Sequence, residues 1–153
     1  MESNMRKLKI ALIAHDRRKV DLCEWVEHNA SFLYNHKLLC TGTTGGLISL
    51  KFEELGYDCK ALDLTLYHSG PLGGDAEIAA EVVNKNVDLC IFLIDDLNPN
   101  PHEADIQMLI RQCRVHNVPI ACNRYSADLI ITSYLWDDEE YVPSEPKYEE
   151  FNR

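Results

Sequence analysis

Five short apolar segments, each followed by a stretch with helical spacing, constrain this chain more than any other feature. Lys7–Ala14, Leu38–Thr41, Cys59–Leu66, Val87–Ile94 and Val118–Cys122 read as strands. Val20–Tyr34, Leu47–Leu55, Ala76–Asn86, Ala104–His116 and Ser126–Leu135 place apolar residues three and four apart and read as helices. Gly56 closes the second of these, as glycine often does at a helix C-terminus. Val87–Ile94 is almost unbroken in its hydrophobicity, the pattern of a strand covered on both sides. Strand and helix in strict alternation predict an α/β fold: three layers, a doubly wound and mainly parallel five-stranded sheet, with helices on both faces.

A chain of 153 residues can bury one proper core. Residues 1–136 are therefore expected to form a single α/β domain, and 137–153 an irregular acidic tail on its surface. That tail holds seven acids against Lys147 and Arg153, a net of −5, which is half of the chain's net charge of −10. An acidic balance of this size speaks against nucleic-acid binding. The apolar runs are too short to cross a membrane. Met1–Lys9 is basic but has no apolar signal segment behind it, so the expected location is the cytoplasm. The six cysteines are scattered, with no Cys-x-x-Cys pair, and are expected to be free and structural rather than metal ligands.

In doubly wound sheets, ligands bind beyond the carboxyl ends of the strands. The segments that follow strands here carry the chemistry. His15-Asp16 with Lys19 follows the first, and Thr41-Gly42-Thr43-Thr44-Gly45-Gly46 the second. His68 to Asp75 follows the third and Asp95 to Asp105, containing His102, the fourth. Hydroxyls and glycines before a helix N-terminus suit a phosphate, because unpaired N–H groups and the helix dipole both favour an anion. A polar turn with a threonine cap is the plainer alternative for that segment. The Gly-Lys-Ser/Thr ending of a P-loop is missing. A flavodoxin-type phosphate loop would follow the first strand, which disfavours flavin.

Ser69-Gly70-Pro71-Leu72-Gly73-Gly74-Asp75 sets a carboxylate at the end of a glycine-rich turn. A carboxylate beside a phosphate repels it, so this placement suits a group that takes a proton. His15, His68, His102 and Asp75 could hold a metal on paper, but no dense ligand motif supports one. His28, His36 and His116 read as structural.

Taken together, these segments resemble the methylglyoxal synthase family from Leu8 to about Leu135. The match rests on Ala14-His15-Asp16 with Lys19, on Thr41 to Gly45, on Ser69 to Asp75, and on Asn98 with Pro101-His102 and Asp105. The resemblance implies a cytosolic homohexamer without metal or organic cofactor. Its reaction would convert dihydroxyacetone phosphate to methylglyoxal and inorganic phosphate, the latter a product and a possible inhibitor. It implies that Lys19, Thr41, Gly42, Thr43, Thr44, Ser69 and Gly70 hold the phosphate. His15 and His102 would contact substrate oxygens, Asp75 would be the base, and Asp16 and Asp105 would support the site. Lys51–His68 is longer than the family's usual spacing. The alternatives are a non-catalytic phosphometabolite-binding regulatory domain of the same fold, as found in carbamoyl phosphate synthetase, and isomerisation to glyceraldehyde 3-phosphate.

Overall fold

The computed structural model describes residues 6–148. Five strands run parallel: β1 (Lys9–Ala14), β2 (Lys37–Thr41), β3 (Leu64–Tyr67), β4 (Leu89–Leu93) and β5 (Ile120–Ala121). Their order across the sheet is β3-β2-β1-β4-β5. The chain therefore winds outward from β1 to one edge, returns across the sheet, and winds outward again from β4. Neighbouring β1 and β4 pair from Ile10 with Leu89 to Ala14 with Leu93. Their carboxyl ends flank the point where the winding reverses, which is where such sheets open a crevice.

Side chains alternate across a strand, and β1 shows how this divides the core. Leu8, Ile10, Leu12 and Ala14 face one layer with Leu22, Trp25, Ile48, Phe52 and Ala127. These belong to α1 (Lys19–His28), α3 (Gly42–Glu54) and α6 (Arg124–Ile131). Ala11 and Ile13 face the other layer with Ile78, Val82, Leu109 and Cys113. Those lie on α4 (Gly74–Val83) and α5 (Glu103–Val115). The predicted fold class, three layers around a five-stranded sheet, is the observed one.

Several boundaries differ for local physical reasons. The helix expected over 20–34 is broken at Asn29 into α1 and the single turn α2 (Ala30–Leu33). The Asn29 side chain donates to the Trp25 carbonyl at 2.9 Å, offering the backbone an alternative to helix continuation. The strand expected from Cys59 begins only at Leu64, because Asp58 captures the preceding residues in a turn. Its carboxylate accepts from Lys60 N–H at 3.0 Å, and Ala61 N–H donates to its carbonyl at 3.1 Å. The last helix ends at Ile131, and a separate 3₁₀ turn over Tyr134–Trp136 starts where Ser133 Oγ accepts from Leu135 N–H.

The five expected helices all start earlier than their apolar pattern, and the shifts of α3 and α4 matter for the site. α3 begins at Gly42 and α4 at Gly74, so the Thr/Gly segment and Asp75 lie within first turns rather than in loops. Gly74 makes the second start possible. A Cβ there would stand 2.8 Å from the His68 carbonyl carbon and 3.0 Å from that of Ser69. Gly74→Ala should therefore cost about 1–3 kcal/mol of stability through overpacking against backbone that cannot yield. A lowered midpoint in urea at unchanged slope is the expected readout.

From Asp137 to Tyr148 the chain forms no helix or strand and is exposed. It is tied to the body where Asn117 Nδ2 donates to the Ser144 carbonyl at 2.7 Å. Glu149, Glu150 and Arg153, which the tail reading also covers, lie outside the described residues.

Candidate active site

A pocket of about 350 Å³ opens at the carboxyl ends of β1 and β2. The ends of β1 and β2, the first turns of α1, α3 and α4, and the loops after β1, β3 and β4 line it. Among the expected site residues, His15, Asp16, Lys19, Thr41, Thr43, Thr44, Ser69, Gly70, Asp75 and His102 all line it. Gly42 and Asp105 do not. Gly42 packs behind the site, its N–H donating to the His68 carbonyl at 3.3 Å. Asp105 sits in the first turn of α5 and acts on Asp75 through its charge. His68, one of the paper metal ligands, points elsewhere: it is solvent-exposed and its Nδ1 lies 2.7 Å from Glu77 Oε1. Among the described residues, no group of three or more His, Cys, Asp or Glu side chains is arranged to hold a metal ion.

One wall of the pocket has the donors that suit an anion. Thr41 precedes α3 in an extended conformation, and its hydroxyl does not cap the helix. The first N–H groups of α3 therefore lack an intrahelical acceptor and face outward at the positive end of the dipole. Thr43 and Thr44 contribute hydroxyls to the same wall, and Thr44 Oγ1 is buried with no hydrogen-bond partner. Lys19 reaches the pocket from the start of α1, held by a hydrogen-bonded ion pair to Asp16. That contact lowers the pKa of the exposed Asp16 carboxyl, the hydrogen bond being the largest cause. Asp16 thus lines the pocket as a carboxylate paired with the lysine and less basic than an ordinary aspartate.

The other wall carries Asp75, whose side chain is 1% exposed. His102 Nε2 stands 3.2 Å from its Oδ2, near enough for ion pairing but not aligned as a hydrogen bond, so both carboxylate oxygens remain unpartnered. Desolvation raises the pKa of Asp75 and outweighs the opposing pull of His102; the negative charge of Asp105 adds to the rise. A first-turn position in α4 would by itself favour the ionised form, so burial is the stronger effect here. Gly70 keeps this group accessible. A Cβ at Gly70 would sit 3.1 Å from Asp75 Oδ1 and 3.2 Å from His102 Nε2, in the space through which a ligand reaches both.

His15 completes the site from the end of β1. Its Nδ1 accepts the Asp95 N–H at 2.8 Å, and its backbone N–H donates to the Leu93 carbonyl at 3.1 Å. An Nδ1 that accepts carries no proton, so the neutral ring holds its proton on Nε2. Desolvation, reinforced by the nearby His102, lowers the His15 pKa and keeps the ring neutral. Nε2 is buried without a protein partner. The two imidazoles meet edge to face with centroids 5.7 Å apart.

Among the described residues, the buried side-chain polar atoms without a hydrogen-bond partner are His15 Nε2, Thr44 Oγ1, both oxygens of Asp75 and His102 Nδ1. Every one belongs to a residue lining this pocket. Such atoms are costly in a folded protein, and their concentration in one place marks a site kept ready for a polar ligand. The apolar wall of Ile13 and Ala14, and Pro71, Asn100 and Pro101 at the rim, were not singled out from sequence as site residues. Asp95, buried behind His15, was also missed. Its backbone contributes the key contact, which a residue-type motif does not reveal.

Comparison with known proteins identifies the family of the chain. Residues 21–122 match the family model described as the MGS-like domain. A methylglyoxal synthase of Treponema socranskii is 62% identical over 148 residues, covering 97% of this chain and 92% of that protein. One from Coxiella burnetii (strain Dugway 5J108-111) is 42% identical over 145 residues, with 94% of each covered. The crystal structure of methylglyoxal synthase from Elizabethkingia anophelis NUHP1 superposes with a TM-score of 0.80 at 38% identity, covering 94% of this chain and 88% of that one. Identities of this size over nearly the whole length, on the fold that the strand order defines, make the chain a member of the methylglyoxal synthase family.

Proposed function

We propose that this chain is a lyase that converts dihydroxyacetone phosphate to methylglyoxal and inorganic phosphate. The observation that carries the reading is the convergence of unpartnered buried polar atoms on one pocket, an accepting carboxylate on one side and donors on the other.

The chemistry assigns each group a task. To expel phosphate, the electron pair must be generated on the far side of the carbonyl from the phosphate-bearing carbon. Asp75 takes a proton from the hydroxymethyl carbon, and the carbonyl oxygen becomes an enediolate oxygen. His15, through its Nε2–H, donates to that developing charge; His102, beside Asp75, contacts the substrate oxygens next to the carbon being deprotonated. The hydroxyl proton passes to the carbonyl-derived oxygen as the electrons close to an aldehyde. The double bond shifts toward the phosphate carbon, and the C–O bond to phosphate breaks, the departing phosphate taking the proton held by Asp75. The product, 2-hydroxypropenal, gains a proton on its terminal carbon and loses its enol proton to become methylglyoxal. Lys19, Thr41, Thr43, Thr44, Ser69 and the N–H groups around Gly42 and Gly70 hold the leaving phosphate. Donors fixed in advance at positions of developing charge supply most of such rate enhancements.

A site that holds the esterified phosphate also holds the free ion, so inorganic phosphate is a competitive product inhibitor. The reading includes a homohexamer, in keeping with Leu72 and Leu97, which are 76% and 86% exposed. It also includes the cytoplasm, in keeping with six unpaired cysteines. A purely regulatory phosphometabolite domain would have no use for a buried, unpartnered carboxylate facing its ligand.

The test is incubation of purified protein with dihydroxyacetone phosphate, measuring methylglyoxal and phosphate together. Equal release of both is expected. Saturable binding without turnover would support the regulatory reading, and glyceraldehyde 3-phosphate without free phosphate would indicate isomerisation.

A further inference from the structure

The proton arrangement of His15 depends on a turn that no catalytic role has yet explained. β1 and β4 are adjacent at the point where the sheet's winding reverses, and His15 and Asp95 lie just beyond their ends. Among the described residues, the only hydrogen bond that fixes the His15 ring comes from the Asp95 N–H to Nδ1, at 2.8 Å. A backbone N–H points where its turn directs it, so whatever fixes the 95–98 turn also fixes the imidazole.

That turn is clasped by Asn98. Its Nδ2 donates to Asp95 Oδ2 at 2.8 Å, while Leu97 N–H reaches Asp95 Oδ1 at a longer 3.2 Å. Asp95 is buried, so the clasp operates where water competes little. The same residue supports the second histidine's loop: Asn100 Nδ2 donates to the Asn98 carbonyl at 3.2 Å, and Asn100 lines the pocket beside His102.

We infer that Asn98 is a positioning residue. It acts through Asp95 to hold the turn whose N–H occupies His15 Nδ1, and so reserves the ring proton for Nε2 facing the substrate. A loosened turn leaves Nδ1 free to take a proton. The ring then populates the other neutral tautomer, which presents a lone pair to the enediolate instead of a donor. Catalytic histidines are commonly held in this way by a partner on the far nitrogen. The consequence for turnover rests on the lyase reading, whereas the tautomer itself does not.

The experiment combines imidazole ¹⁵N NMR of the histidine-labelled full chain with steady-state kinetics on dihydroxyacetone phosphate, comparing wild type with Asn98→Ala and Asn98→Ser. His15 signals are assigned by their loss in His15→Gln. Wild type should show His15 with a bare Nδ1 and a protonated Nε2. In Asn98→Ala that signal should move toward a tautomer mixture, with kcat lowered about tenfold and KM changed little. Asn98→Ser, whose hydroxyl is a donor on a shorter side chain that does not span to Asp95 in the same way, should fall measurably between wild type and alanine in both readouts and serves alone if the alanine variant does not fold. An unchanged His15 tautomer in a folded Asn98 variant overturns the inference, whether or not kcat falls. A shifted tautomer at wild-type kcat overturns it as well, since the positioning would then not matter to the reaction. If wild type itself does not turn over the substrate, the lyase reading fails, and the NMR still decides what holds the His15 proton.

Discussion

Asp75→Asn should abolish most turnover while leaving the protein more stable than wild type at neutral pH. The two effects have one cause. Loss of a positioned general base costs about 10²–10⁴-fold in rate, and asparagine offers no basic oxygen to the substrate carbon. Burial raises the pKa of Asp75, so the native state binds this proton more tightly than the unfolded chain does. The stability that Asp75 contributes is then complete below its unfolded pKa and lost as pH rises through its folded pKa. Above that range the wild-type protein holds a desolvated charge, a cost that asparagine never incurs. Melting temperatures compared at neutral pH should favour the variant, and the gap should close as the medium becomes acidic enough to protonate the wild-type group. The same titration predicts that wild-type kcat/KM falls at low pH, starting above the usual aspartate range, because only the ionised carboxylate can accept the proton. A variant retaining wild-type kcat would remove Asp75 from the role of base, and a variant destabilised at neutral pH would contradict the burial argument.

His15→Ala should produce the next largest loss. The Asp95 N–H occupies Nδ1, and burial with the neighbouring His102 keeps the ring neutral, so the side chain presents one fixed donor to the pocket. Removing a single donor of this kind lowers kcat by about 10²–10³-fold. Because the donor is strongest against the charge that develops on the carbonyl oxygen, KM should change far less than kcat. A rise in KM at nearly constant kcat would instead show that His15 binds substrate and transition state equally. The remaining contact of the ring, edge to face with Phe92 at 5.2 Å between centroids, adds little to stability by comparison, so the variant should stay folded. Circular dichroism would check this.

Much of the site could be read from residue types because the doubly wound topology gathers the loops at one end of the sheet. His15, Thr41, Asp75 and His102 are far apart in sequence and share one pocket for that reason alone. What escaped the reading depended on helix starts and on backbone. Polar and glycine residues hide a helix's first turn from any hydrophobic pattern, so α3 and α4 were expected five and two residues too late. Placing Thr43 and Thr44 in the first turn of the helix leaves their N–H groups pointing one way at its positive end; in a loop, those groups would have had no common direction. Asp95 escaped because its part in the site is played mainly by a main-chain N–H, which every residue but proline carries.

The alternation of apolar strands with helices determined the layers and which end of the sheet would be functional, since burial dictates the one and parallel winding the other. The order of residues from Ser69 to Asp75 likewise determined that a carboxylate would stand at the end of a glycine-rich turn. Only the tertiary structure decided that this carboxylate is buried rather than solvated, that both its oxygens lack partners, and that His15 holds its proton on Nε2. Those properties arise from what packs around a group after the chain has folded. A pKa and a tautomer are set by dielectric and by neighbours three ångströms away, and neighbours drawn from opposite ends of the chain are not written at any one place in the sequence.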